Sequence, residues 1–74
     1  MNKKHYYIIN VPGCYGYSFM VYSNEENLNE NTILYRAFRL GYFQDAIDMS
    51  YANVDDLVTE NDIEFFKEHC YPID

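Results

Sequence analysis

Residues 5 to 11, His-Tyr-Tyr-Ile-Ile-Asn-Val, are mostly β-branched or aromatic, and Pro12-Gly13 then breaks the run, which predicts a strand. The stretch from Tyr15 to Tyr22 repeats that composition. Its odd positions Tyr15, Tyr17, Phe19 and Val21 are apolar while the even ones include Gly16 and Ser18, the alternation of a strand with one core-bound face. The link Pro12-Gly13-Cys14 is far shorter than the crossover that parallel strands require, so the two runs are expected to pair as an antiparallel hairpin.

Residues 23 to 31 are polar and rich in turn formers, a loop leading to a helix cap at Asn29 or Asn31. Beyond it, Ile33, Leu34, Ala37, Phe38 and Leu40 fall at helical spacing on one face. Arg36 and Arg39 sit where cations complement the helix dipole, and Gly41 provides the stop. Tyr42 to Asp48 reads either way, with a turn of helix around Asp45-Ala46-Ile47. Met49 to Val54 is expected as a third strand, with Met49, Tyr51 and Asn53 on one face and Ser50, Ala52 and Val54 on the other. A last helix is marked by Thr59 and Asp62 as a capping box, with Val58 and Ile63 as a hydrophobic staple. Its stripe is Ile63, Phe66 and Cys70, and Pro72 closes it. The order strand, strand, helix, strand, helix predicts an α+β fold, one small antiparallel sheet with helices on one face.

Composition narrows this to a single domain, residues 1 to 74. Aliphatic and aromatic residues make up 49% of the chain, including nine Tyr and five Phe, too much apolar surface for a disordered acidic tail. The Lys3-Lys4 pair is followed by an apolar run too short for an export signal, and nothing approaches a membrane span, so the expected place is the cytoplasm. Twelve Asp and Glu against five Lys and Arg give a net charge of −7, which repels phosphate backbones and argues against direct DNA or RNA binding.

No pattern of reactive residues names a reaction. Cys14 and Cys70 lie almost at opposite ends of the chain and are read as buried thiols rather than a disulfide. Together with His5 and His69 they lack the close pairs of a zinc module, because the adjacent His69 and Cys70 point apart on a helix. Cys14 in its Pro-Gly-Cys-Tyr-Gly turn has neither an orienting third group nor an oxyanion hole to make it a catalytic nucleophile. The acids at 45 to 48 and 55 to 62 lack the alternating ligands and central Gly of a calcium loop. So small a sandwich also has little room for the pocket that paired-carboxylate catalysis needs. The expectation is a non-enzymatic protein without metal or cofactor.

Charge distribution says more. Between Leu40 and Phe66 lie seven acids and no Lys or Arg. Either this is a solvated face that keeps a Tyr-rich protein in solution, or it copies the charge of a nucleic-acid backbone and enters a groove built for phosphate. On the second reading the partner-binding residues are Asp45, Asp48, Asp55, Asp56, Glu60 and Glu64. Tyrosine beside carboxylates suits docking on a basic protein, with aromatics anchoring and acids steering.

In size, acidity, Asn/Glu/Tyr/Ile-rich composition and the acidic stretch 45 to 64, the chain resembles the small phage-encoded inhibitors of bacterial defence, the anti-CRISPR and DNA-mimic anti-restriction proteins. That resemblance implies a stoichiometric inhibitor occupying the basic nucleic-acid-binding groove of a CRISPR nuclease or similar enzyme in the bacterial host cell. The alternative is a small bacterial interaction or adaptor module that uses a Tyr-rich surface, its acidity serving solubility alone.

Overall fold

The structure, a computed structural model, describes residues 3–13 and 16–74. Cys14 and Tyr15, with the readings placed on them, lie outside the described residues.

Two strands, β1 (His5–Val11) and β2 (Tyr17–Ser23), form the expected antiparallel hairpin, in register from His5 opposite Ser23 to Val11 opposite Tyr17. Alternation along these strands directs Tyr7, Ile9, Val11, Phe19 and Val21 into one core with Ile33, Leu34 and Ala37 of α1 (Glu30–Arg39). Asn29 is the N-cap, its side chain accepting from the Thr32 N–H at 2.8 Å. The helix ends in a Schellman motif: Gly41 takes φ +82°, its N–H reaches the Phe38 carbonyl at 3.1 Å, and the Tyr42 N–H reaches the Ala37 carbonyl at 3.0 Å. Two residues expected on the core face stand partly in solvent. Phe38 is 38% exposed and Leu40 is exposed as well, because the contacting stripe of this helix is narrow and centred on Ile33, Leu34 and Ala37.

The third strand is displaced. Residues expected to extend from Met49 to Val54 instead form a helix, α2 (Ala46–Tyr51), followed by a three-residue strand, β3 (Asn53–Asp55), antiparallel to β1. The cause is a capping box in which the Asp45 side chain accepts from the Ile47 and Asp48 N–H groups while Asp48 accepts from the Asp45 N–H. On the outer edge of β3 the Val54 N–H is covered by the Glu30 carboxylate at 3.1 Å, which blunts an otherwise open sheet edge.

The last helix begins where expected, with Thr59 and Asp62 forming a capping box, but α3 (Glu60–Phe65) is short. A 3₁₀ turn (Lys67–His69) ends it and Cys70 enters a fourth strand, β4 (Cys70–Pro72), so Cys70 is not on a helical stripe. This strand pairs parallel to β2, which gives a mostly antiparallel α+β sheet of order β3-β1-β2-β4. Pro72 cannot donate to a ladder and is tolerated because β4 is an edge strand. The backbone then delivers the buried Ile73 to the core, its N–H bonded to the Tyr22 carbonyl at 3.0 Å.

Helices on one face is too narrow a description. α1 and α2 cover the face of Ile9 and Phe19, while on the other face Tyr6 and Tyr22 share a groove with Ile63 of α3, Lys67 and Cys70. Ile8 and Met20 are buried on that second face. The continuous apolar run Tyr6 to Ile9 follows from this, since a strand covered on both sides has no polar face to alternate with.

Candidate functional site

The six carboxylates singled out in the sequence divide into three groups. Asp45 and Asp48 are brought together at the start of α2 and carry its capping box; Asp48 also accepts from the Tyr17 hydroxyl at 2.8 Å. Burial, and next the bond to Asp48, push the Tyr17 hydroxyl above its ordinary pKa, so it stays a donor. These two acids hold the fold together.

Asp55 and Asp56 diverge. Asp55 stands opposite Ile8 in the register, and its Oδ1 accepts from the Leu57 N–H at 2.9 Å, which ties down the turn into α3. Asp56 stands at the sheet edge between the two faces, lining one cavity of about 140 Å³ with Tyr7, Leu28, Ile33 and Val54 and another of about 400 Å³ with Tyr6, Val58 and Ile63 on the α3 side. Burial first, and the Asp56 charge second, raise the Tyr7 pKa.

Glu60 and Glu64 lie on α3 four residues apart, hence on one helix face. Like charges so placed oppose helix formation by about 0.2–0.5 kcal/mol. Lys67 meets Glu64 at 3.0 Å, whereas Glu60 and Asp56 make no hydrogen bond or ion pair among the described residues.

The aromatic part of the expectation changes more. Of the described tyrosines only Tyr35 and Tyr51 are exposed. Tyr17, Tyr42 and Tyr71 pack on the core, with Tyr42 donating to the Pro72 carbonyl at 2.5 Å, and Tyr6 pairs with Tyr22 across the hairpin at 6.0 Å between ring centroids. Among the described residues the most exposed large apolar side chains are instead Leu57, at 83%, ahead of α3, and Phe65, at 81%, its last residue. Nothing local in the pair Phe65-Phe66 told which ring would face water, since adjacent apolar residues on a helix can share the inward face, as Ile33 and Leu34 do. Ile47 and Tyr51 form a second exposed pair, four residues apart on the outer face of α2.

Among the described residues no three His, Cys, Asp or Glu side chains gather in a way that could hold a metal ion. Cys70 is half-buried, and burial raises its thiol pKa against the opposing pull of Lys4, which leaves it a poor nucleophile. No helix among the described residues is long and apolar enough to cross a membrane. Compared with known proteins, the chain matches no family model, no curated protein and no solved structure.

Proposed function

We propose that this chain is a non-enzymatic acidic binding protein that inhibits a nucleic-acid-processing defence enzyme, such as a CRISPR nuclease, by occupying its basic nucleic-acid-binding groove in the bacterial cytoplasm. The observation that carries the reading is the surface from Asp45 to Phe65: Asp56 and Glu60 have no hydrogen-bond or ion-pair partner among the described residues, and exposed apolar side chains stand among the acids. Solubility accounts for the acids, while Leu57 and Phe65 beside them are apolar groups that a partner can cover. An interface needs both, apolar anchors for affinity and charge for steering. The Tyr-rich adaptor reading has less support, because most of the described tyrosines are committed to the core or to cross-strand pairing.

The test is capture of partners from a bacterial lysate on immobilised protein, elution by salt, and competition with duplex DNA or RNA. The expected result is a basic nucleic-acid enzyme that nucleic acid displaces. A captured partner that ignores competing nucleic acid at low salt refutes the groove-blocking mechanism.

A further inference from the structure

We infer that partner binding is anchored by the surface Leu57–Phe65, with Leu57 and Phe65 as two preset apolar contacts and Asp56 and Glu60 as steering charges, and that the occupant is a basic protein surface with apolar pockets. This rests on the reading of the chain as an acidic binding protein and deepens it by separating docking acids from structural ones.

The acids separate this stretch from α2, and two further observations show that it can dock. The acids of α2 are spent on the fold: Asp45 caps it, and Asp48 closes the capping box and holds Tyr17. By contrast Asp56 and Glu60 are without internal partners among the described residues. Second, α3 has no buried residue, although its start is fixed by a reciprocal capping box. Its outer surface, built by Glu60, Asn61, Glu64 and Phe65, is therefore available for contact. Third, Leu57 is carried on a fixed backbone and the Phe65 ring is supported by its neighbour. The Asp55 carboxylate fixes the backbone of Leu57 at 2.9 Å, and the Phe65 ring rests edge-on against Phe66 with centroids 5.0 Å apart. Apolar groups ordered before contact lose less entropy on binding, which is how small interfaces gain affinity.

Charge selects the occupant. A second copy of this chain would set −7 against −7, and like charges across an interface oppose association. A basic surface meets the carboxylates with favourable sign and accepts Leu57 and Phe65 in its pockets. Long Lys and Arg side chains supply both requirements, because their methylene stems pack on apolar groups while their heads reach the acids.

A designed Lys/Leu amphipathic helical peptide is the probe, with poly-lysine of equal length as the charge-only control, and binding is followed by amide NMR and calorimetry. The unaltered protein is expected to bind the Lys/Leu peptide more tightly than poly-lysine. Amide shifts should centre on residues 56 to 65, and affinity should fall less steeply with salt than that of poly-lysine, because only the charge contribution is screened. Leu57→Ser with Phe65→Ser should weaken the Lys/Leu peptide about tenfold or more, as truncation of anchors does, and leave poly-lysine binding unchanged. Ile47→Ser with Tyr51→Ser, on the exposed face of α2, should leave both unchanged. All four side chains are exposed, so the amide spectrum of each variant should keep the native dispersion. The inference is overturned if shifts centre on α2, if the Leu57/Phe65 variant binds the Lys/Leu peptide like the unaltered protein, or if that variant dissolves a concentration-dependent dimer. Failure of the groove-blocking reading shows separately, as a lysate partner that nucleic acid does not displace.

Discussion

The Tyr17 hydroxyl donates to Asp48 Oδ2 at 2.8 Å, joining the first residue of β2 to the first turn of α2 across 31 positions of sequence. Asp48 thereby serves two donors, the Tyr17 hydroxyl and the Asp45 N–H that closes the α2 capping box, so a charge-assisted bond joins α2 to the hairpin beside the packing of the half-buried Met49 on the core. Tyr17→Phe removes that bond and the weaker one the hydroxyl accepts from the Gln44 N–H at 3.4 Å, which should cost about 1.5–3 kcal/mol at most. Asp48→Ala also removes the N3 side of the capping box and should cost more. Urea denaturation of the two variants checks the order.

The same distinction divides the acids by their effect on stability. Asp45→Ala should lower stability by about 0.5–2 kcal/mol, the usual cost of losing an N-cap. Asp56→Asn should leave the melting temperature almost unchanged while slowing association with a basic partner and flattening its salt dependence. Thermal melts beside stopped-flow association would show whether stability and binding separate in this way.

Core substitutions should follow burial rather than residue size. Ile9→Ala, at a fully buried site in the centre of the sheet, should cost about 2–5 kcal/mol. Phe38→Ala should cost clearly less, because much of that ring is already in water. Equal losses in chemical denaturation would contradict the packing described above.

Two pH limits follow from the titrating groups. Tyr7, Tyr17 and Tyr42 have folded pKa values raised above 10.0, with burial the largest cause. The stability linked to them is complete below the unfolded pKa and is lost as pH rises through and beyond it. Melting temperature should therefore fall on the alkaline side of pH 10, in step with tyrosinate absorbance.

Asp74 sets the acid limit. Its carboxylate accepts from the Ser23 hydroxyl and, at 2.8 Å, from the Asn24 N–H, with Arg36 at 3.7 Å, and these contacts hold its pKa below 3.8. Its contribution is present above the ordinary carboxylate range and lost as pH falls through the lowered value. Asp74→Asn should lower the melting temperature at neutral pH and reduce its dependence on acid.

How much of this was written in the sequence depends on how local the cause was. The hairpin, α1 and the start of α3 were legible because alternation, the Asn29 cap, the Gly41 stop and the Thr59-Asp62 box act within a few residues. The start of α2 was legible too, as a turn of helix around Asp45-Ala46-Ile47, but the alternating stretch Met49 to Val54 hid its continuation to Tyr51. No local pattern marked β4. Cys70-Tyr71-Pro72 becomes a strand only because Ile73 is buried and Tyr42 reaches the Pro72 carbonyl, contacts that exist after α1 to α3 have returned the chain to β2. The sequence by itself determined the charge of the 45 to 64 stretch and the residues in it. Tertiary structure decided which of those acids are engaged by the fold and which stand free, because a carboxylate's role depends on whether an N–H or hydroxyl lies within about 3 Å of it in the folded chain.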